Sequence, residues 1–556
     1  MIQRLLLLLS LLIALPAAAE AKGGVVSAGD PRAAAAGQAI LRAGGTATDA
    51  AMAVMLALGV VEPQSSGIGG GGFLLHSDPQ GGIATIDGRE TAPAAGAPDR
   101  FLKRDGTPMG YAEAMPGGLS VGVPGNIRLM AKAHARWGRL PWARLFDPAI
   151  RLAEGGFAVT PRFLMFMGYV DRNWADFPAT AALYHPGGRR PVVGTVIRNP
   201  ALAATLRRIA RQGPDAFYKG PIAAGIATAV ASARRNPAAL TVADLAGYEA
   251  KDRPAVCAAY RGYRLCGMGP PSAGAMTVLQ ILGMLERFNL KALGPANPVS
   301  WHLIGEAMQL AYADRDKYLA DADFVAVPLA GLLDRDYLAR RALLISPASS
   351  LPAYPAGSPP GAPARTAAAS SEVSGTTHFV VTDGAGEVVT MTSTVEGPFG
   401  SQILSQGMML NNELTDFTFA PEQDGAPVAN RVQAGKRPLS SMAPTIVYDP
   451  QGRAVLALGS GGGKRIPMHV LKTLVGVIDW GLPVQAAIAL PNIYFGGGAL
   501  LVEKSPEMAV MVPALAKLGQ PVTPSDLTSK VNAIEWTPAG WRGAADPRSE
   551  GVALGE

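Results

Sequence analysis

The sequence predicts an α+β fold in which stacked sheets are covered by helices. Three observations lead there. From about residue 25 to 345 the apolar spacing is mainly helical, broken by glycine-rich turns. After residue 376 the character shifts towards strands and carries two hairpin signals. A further helix follows those strands, from Met468 to Trp480. No repeat of solenoid length is visible. The chain of 556 residues exceeds one simple core, and length alone suggests about three or four domains. With 48% apolar and 17% charged residues it is globular in composition, not disordered.

At the start, Arg4 precedes the apolar run Leu5 to Leu15, and Pro16 with Ala17-Ala18-Ala19 supplies a small-residue cleavage site. Residues 1–21 therefore read as a secretory signal peptide cut after Ala19 or Ala21. An uncleaved anchor is the alternative, but the run is short for a membrane span and no later run of the required length exists. A periplasmic or secreted protein is expected. An apolar helix begins at Thr48-Asp49-Ala50 and ends before Glu62-Pro63. Further helices are expected at Ile127 to Trp137, at Ala143 to Glu154, and at Trp301 to Leu319, where Leu303, Ala307, Leu310 and Ala311 share a face.

Cys257 and Cys266 flank two short strands around an Arg261-Gly262 turn. A two-residue loop places them opposite each other at a non-hydrogen-bonded pair, with Cα atoms about 4.5 Å apart, which a disulfide can bridge. An exported chain favours that bond over two buried thiols. Two cysteines cannot build a Cys-rich zinc site, and the six histidines lack ligand spacing, so neither a metal nor another cofactor is expected. The net charge of +6 is mild, and without a basic–aromatic stripe nucleic acid is not an expected partner.

Residues 346–372 are rich in Pro, Ala and Ser, and mobility is expected of them. The tract ends at Ser374-Gly375-Thr376-Thr377-His378, followed by Phe379-Val380-Val381 and Glu387 to Met391 around Asp383-Gly384-Ala385-Gly386, a hairpin. A threonine hydroxyl is a poor nucleophile unless a base adjoins it, and cutting before Thr376 would free its own α-amino group as that base. Read alone, Gly-Thr-Thr is an ordinary loop entering a strand, and the nucleophile reading rests on what surrounds it. A second hairpin is expected from Ala443 to Leu458 around Asp449-Pro450-Gln451-Gly452. Two other motifs fail on context. Gly118-Leu119-Ser120-Val121-Gly122 satisfies the serine-hydrolase pattern but follows a turn, not a strand. Gly459 to Arg465 lacks both the first glycine spacing of a phosphate loop and the hydroxyl residue after its lysine.

A set of blocks in one order resembles the γ-glutamyltransferase (glutathione hydrolase) family of N-terminal-nucleophile hydrolases. They are Gly67 to Phe73, Asp87 to Pro93, Gly138 to Trp142, Ala313 to Asp316, Gly375 to His378, Leu410 to Glu413, Lys436 to Met442 and Gly459 to Gly463. The resemblance implies a four-layer αββα sandwich of two mainly antiparallel sheets. It also implies self-cleavage after Gly375 into a large subunit, 22–375, and a small subunit, 376–556. Thr376 would be the nucleophile, oriented by Thr394. Arg89, Ser440 and Ser441 would hold a substrate α-carboxylate, a planar guanidinium suiting that group. Glu413 and Asp416 would take the α-ammonium, and Gly462 and Gly463 would form the oxyanion hole.

Glu396 departs from the asparagine that many relatives carry. Turned inward, it would make three carboxylates around one ammonium, and one of them would keep a proton. The segment between Phe417 and Lys436 is short for a family lid, so an open pocket is expected. The implied partners are glutathione or another γ-glutamyl donor, with water, an amino acid or a peptide as acceptor. The alternatives are a glutaryl-cephalosporin-type acylase and a non-cleaving periplasmic glutamate- or peptide-binding protein.

Overall fold

The structure is a computed structural model that describes residues 20–21, 23–368, 373, 375–496 and 498–556. The leader over residues 1–19 and Ser374 of the cut-site motif lie outside the described residues. Glu20–Ala21 pairs antiparallel with Trp541 and Arg542, so a cut after Ala19 would keep that pairing and a cut after Ala21 would remove it.

Two seven-stranded sheets form the centre. In the first, the order is Val552–Gly555, Val25–Ala28, Thr377–Thr382, Val388–Thr394, Gly71–Ser77, Ile83–Gly88, Lys251–Arg253. In the second it is Glu20–Ala21, Gly540–Ala545, Lys530–Thr537, Ala454–Gly461, Thr445–Tyr448, Tyr263–Gly267, Val256–Tyr260. Neighbours within both are antiparallel. Side chains alternate across a strand, and the Thr377–Thr382 strand uses both faces. Phe379 and Val381 pack with the helices Pro31–Arg42, Ala47–Val61 and Asn126–Trp137. Val380 packs with Leu458, Val531 and Ala533 of the second sheet. The helices Gly274–Leu285, Pro298–Tyr318 and Ile466–Ile478 share that second core and cover the far side. Helix, sheet, sheet and helix make four layers, as the resemblance implies.

The expected helices occur, with shifted ends. The first, Ala47–Val61, starts on a capping box between Thr46 and Asp49. The one expected over Ala143 to Glu154 is instead a 3₁₀ turn, Trp142–Phe146, followed by a helix over Asp147–Gly155. Pro148 in its first turn restarts the helix there. Both hairpins form with paired registers Phe379↔Met391 and Ile446↔Ala457. Gly71 and Gly72 are strand residues opposite Thr394 and Ser393, inside a stretch that reads as a glycine turn. A Cβ on the adjoining Gly70 would lie 1.9 Å from the Thr394 carbonyl oxygen, so close backbone packing requires glycine there.

The tract from 346 to 368 is irregular but fastened, which corrects the expectation of mobility for that part. Ser350 donates its amide to Leu518 O, Leu351 and Tyr354 donate to the Glu306 carboxylate, and Gly357 donates to Asp314. Pro and Ser exclude a ladder but leave amides and side chains for such ties.

Cys257 and Cys266 are opposite each other and bonded, with Cα atoms 4.1 Å apart. Replacing both with serine should lower stability by about 2–3 kcal/mol, the loop-entropy value for so short a loop. Urea unfolding of the double variant against the oxidised parent measures this, and equal midpoints would refute it. Among the described residues no helix is long and apolar enough to cross a membrane.

Candidate active site

Thr376 immediately precedes the Thr377–Thr382 strand of the first sheet, and its carbonyl oxygen lies against Gly461 of the second. A Cβ on Gly461 would stand 2.1 Å from that oxygen, so this glycine lets the two sheets meet beside Thr376. Thr376 Oγ1 is 3.2 Å from Thr394 Oγ1, and Thr394 Oγ1 also accepts the Glu396 amide at 2.8 Å. With its lone pairs engaged by that amide, the Thr394 hydroxyl can direct its proton to Thr376. His378, two residues along, is committed elsewhere. Its ring nitrogens meet Thr392 Oγ1 at 2.8 Å and Thr390 Oγ1 at 3.1 Å, and burial lowers its pKa to about 3, so it is a neutral spacer.

Arg89 is buried at the end of the Ile83–Gly88 strand. Its backbone is clamped: the amide donates to Asp87 Oδ1, and the carbonyl accepts from Tyr248 Oη at 2.7 Å and Arg437 Nε at 3.2 Å. Its guanidinium donates to Glu413, to Asp416 Oδ2 at 2.5 Å, and to the carbonyls of Pro438 and Leu439. Burial works against its charge, but Glu413 and then Asp416 outweigh that and hold it protonated. The residues expected to grip opposite ends of a substrate thus grip one another in this chain.

Glu396 does turn inward, on a backbone with φ of +77°, unusual for a residue other than glycine. Its carboxylate accepts from Tyr111 Oη at 2.7 Å, Asn412 Nδ2 at 2.5 Å and the Val373 amide at 3.0 Å. Burial first, and Glu413 second, push its pKa up to about 7 against the pull of those donors. Tyr111, which nothing in the sequence marks, is kept a neutral donor by burial and then by Glu396.

Arg89, Thr376, Thr394, Glu396, Glu413, Asp416, Ser440 and Gly463 line one cavity together with Val373, Met442 and Ile466. Gly462 and Ser441 are not among its walls. Gly462 and Gly463 have φ of +140° and +58° and make the turn that follows Gly461, leading into Ile466–Ile478. The ring of His469 supports this turn from behind, with Nδ1 3.1 Å from Ser460 Oγ. Ser441 Oγ accepts from Arg315 Nη2 at 2.9 Å. Ser120 is buried in a 3₁₀ turn with its hydroxyl donating to Met115 O, far from any nucleophile's duty.

The space left is about 10 Å³, enough for roughly one water. The expected open pocket is therefore not found. The short segment after Phe417 does not decide the matter, because Val373, ahead of Thr376 in the chain, walls the cavity from the other side and bonds Glu396.

A family model described as Gamma-glutamyltranspeptidase matches residues 33–556. A glutathione hydrolase proenzyme of Bacillus subtilis strain 168 is 37% identical over 485 residues, covering 85% of this chain and 81% of its own length. A glutathione hydrolase proenzyme of Escherichia coli K12 is 36% identical over 546 residues, covering 95% and 91%. The solved structure of a cephalosporin acylase from Bacillus halodurans superposes with a TM-score of 0.86 at 28% identity, covering 98% of this chain and 97% of that one.

Proposed function

Because the chain belongs to the gamma-glutamyltranspeptidase family, we propose that it is a self-cleaving γ-glutamyl hydrolase and transferase with Thr376 as its N-terminal nucleophile. The observation that carries this is the placing of Thr376 Oγ1 beside Thr394 in the cavity that Arg89, Glu413 and Asp416 line. In the precursor the Thr376 hydroxyl adds to the Gly375 carbonyl, the amide C–N bond breaks to an ester, and water hydrolyses that ester. The α-amino group so released has an ordinary pKa near 8, and its neutral fraction near pH 7 accepts the hydroxyl proton.

In turnover Thr376 attacks the γ-carbonyl of glutathione or a related amide. Charge on the tetrahedral oxygen falls at the Gly462–Gly463 turn, where donors of this kind are worth about 100–1,000-fold each. The leaving amine takes the proton from the α-ammonium, and a glutamyl ester remains. Water or the amine of an amino acid or peptide then attacks the ester and restores Thr376. The donor's α-carboxylate and α-ammonium replace the internal contacts of Arg89 with Glu413 and Asp416, with Ser440 beside them. The Cys257–Cys266 disulfide supports an oxidising compartment, in line with export.

Glu396 gives the reading a pH signature. Its raised pKa means that the stability tied to its proton is present below the ordinary carboxyl range and lost as pH rises through about 7. Donor binding runs the other way, since only the ionised carboxylate attracts the α-ammonium. The KM for a γ-glutamyl anilide should therefore fall by about tenfold between pH 6 and 8. Glu396→Gln should flatten that change, and an unchanged slope in the variant would exclude Glu396 as its source.

A second reading is favoured by the long superposition on the cephalosporin acylase. An acylase for glutaryl groups would not need an ammonium site, and three carboxylates beside Arg89 disfavour a donor that brings one further negative charge and no cation. Turnover of γ-glutamyl anilide should exceed that of glutaryl anilide by about 100-fold. A preference for the glutaryl compound would overturn the leading reading, and a chain that stays whole on a denaturing gel would support a binding protein.

A further inference from the structure

Thr377 opens the strand that Thr376 immediately precedes. Val380 packs into the core shared with the second sheet and the His378 ring lies against Gly459 of that sheet, whereas Phe379 and Val381, and with them Thr377 by alternation, look to the helices. On that helix side Thr377 Oγ1 donates to Glu62 Oε2 at 2.9 Å. Glu62 is the residue that ends the Ala47–Val61 helix, and its carboxylate is 2% exposed. Both its oxygens also meet Lys530 Nζ, at 2.5 Å each.

Lys530 comes from the far sheet. It is the first residue of the Lys530–Thr537 strand and lies opposite Gly461, the glycine against which the Thr376 carbonyl packs. To reach Glu62 its side chain crosses the end of the first sheet beside Gly29. A Cβ on Gly29 would stand 2.4 Å from Lys530 Cε and 2.9 Å from Thr377 Oγ1, so the passage exists only with glycine there. Burial lowers the lysine's pKa and Glu62 offsets part of that. Asp30 favours and Arg162 opposes its charge from nearby.

We propose that Glu62, held by Lys530, is a positioning residue for the nucleophile, anchoring Thr377 from the face opposite the cavity. The inference rests on the reading of Thr376 as nucleophile. In the uncut chain Thr376 is tethered on both sides. Once Gly375 is severed it becomes a strand end, and strand ends fray unless held. The ladder partner of Thr377 is Ser393, and Thr376 itself lies outside the strand. The Thr377–Glu62 bond resists rotation of the strand end about its axis, the motion that would swing Thr376 Oγ1 away from Thr394. Misplacement by about 1 Å can cost about 100-fold in rate.

The test uses the full chain and four forms of it, the parent included. Thr377→Val removes the donor and leaves the ion pair. The double variant Glu62→Met with Lys530→Met removes the acceptor and both charges, and apolar replacement of a buried pair is often tolerated. The double variant Glu62→Gln with Lys530→Met keeps an acceptor for Thr377 without the charges. Self-cleavage is followed on denaturing gels, and kcat and KM for γ-glutamyl anilide are taken per cleaved chain. The expected result is a fall of about 10- to 100-fold in kcat and in the cleavage rate for the first two, with KM within about twofold. Most of the loss should return in the double variant that carries Glu62→Gln.

Should Thr377→Val and the Met–Met form both match the parent, the inference is wrong. Equal losses in all three variants, with KM rising alongside, would make the pair a general structural element and overturn it too. If a double variant is insoluble, Thr377→Val decides alone. A parent chain that neither cuts itself nor turns over the anilide would instead defeat the functional reading.

Discussion

Thr376→Ala should run as one uncut chain and show no turnover of γ-glutamyl anilide. The same hydroxyl has to attack Gly375 in the precursor and the γ-carbonyl in the mature enzyme, so one substitution removes both steps. Loss of a nucleophile from such a constellation costs about 10,000-fold or more. Alanine keeps the Cβ, and Thr376 is only 6% exposed in a site already walled by Val373, Met442 and Ile466. The variant should therefore fold, and its soluble yield and unfolding midpoint should match those of the parent. Thr376→Ser is the control, because it keeps the hydroxyl and should still cut, more slowly. Two fragments from the alanine variant would mean that the cut is made by another group.

Arg89→Met carries the second large effect, and it acts on stability as well as on activity. The guanidinium sits between Glu413 and Asp416, with Glu396 also lining the cavity, so one cation faces three carboxylates. Removing it leaves buried carboxylates without their partner, which typically costs about 3–5 kcal/mol. Those groups would take up protons and lose their hold on an α-ammonium. The behaviour of Glu90 follows the same logic, since burial and then Glu413 already raise its pKa well above the carboxyl range. Urea unfolding should register the loss, and kcat/KM for γ-glutamyl anilide should fall by about 1,000-fold or more. Arg89→Lys should recover part of the stability but little of the activity, because a point charge cannot reproduce the fork. A Met variant within about 1 kcal/mol of the parent would show that the network holds no such charge balance.

Much of this was legible in sequence. Hairpins around Asp383-Gly384-Ala385-Gly386 and Asp449-Pro450-Gln451-Gly452 carry local turn chemistry, and the helix from Ala47 to Val61 carries a cap. The register of Cys257 on Cys266 follows from counting residues across a two-residue turn. Non-local partners are another matter. Val25–Ala28, Gly71–Ser77 and Ile83–Gly88 belong to the sheet that holds Thr376, yet they sit in a stretch dominated by helix periodicity and glycine. A glycine that reads as a turn is here a strand residue with a carbonyl against its Cα.

The site divides along the same line. Arg89, Thr394, Glu396, Glu413, Asp416, Ser440 and Gly463 come together from distant segments around Thr376. The parts played by Tyr111, Asn412 and Gly461 were not foreseen, since they act through contacts that only folding creates. Ser441 was expected at a carboxylate and is bound by Arg315 instead. The open pocket failed because the length of the segment after Phe417 can be read in sequence, whereas the seat of Val373 before the cut cannot. A cut before Thr376, as proposed, would part Val373 from Thr376, and the closed cavity would then belong to the uncut chain.

N-terminal sequencing of the smaller fragment of the purified protein tests the central claim most directly. The account predicts Thr-Thr-His-Phe, the sequence from Thr376 to Phe379, in a preparation that turns over γ-glutamyl anilide. A fragment beginning anywhere else, or an uncut chain with full activity, would contradict it.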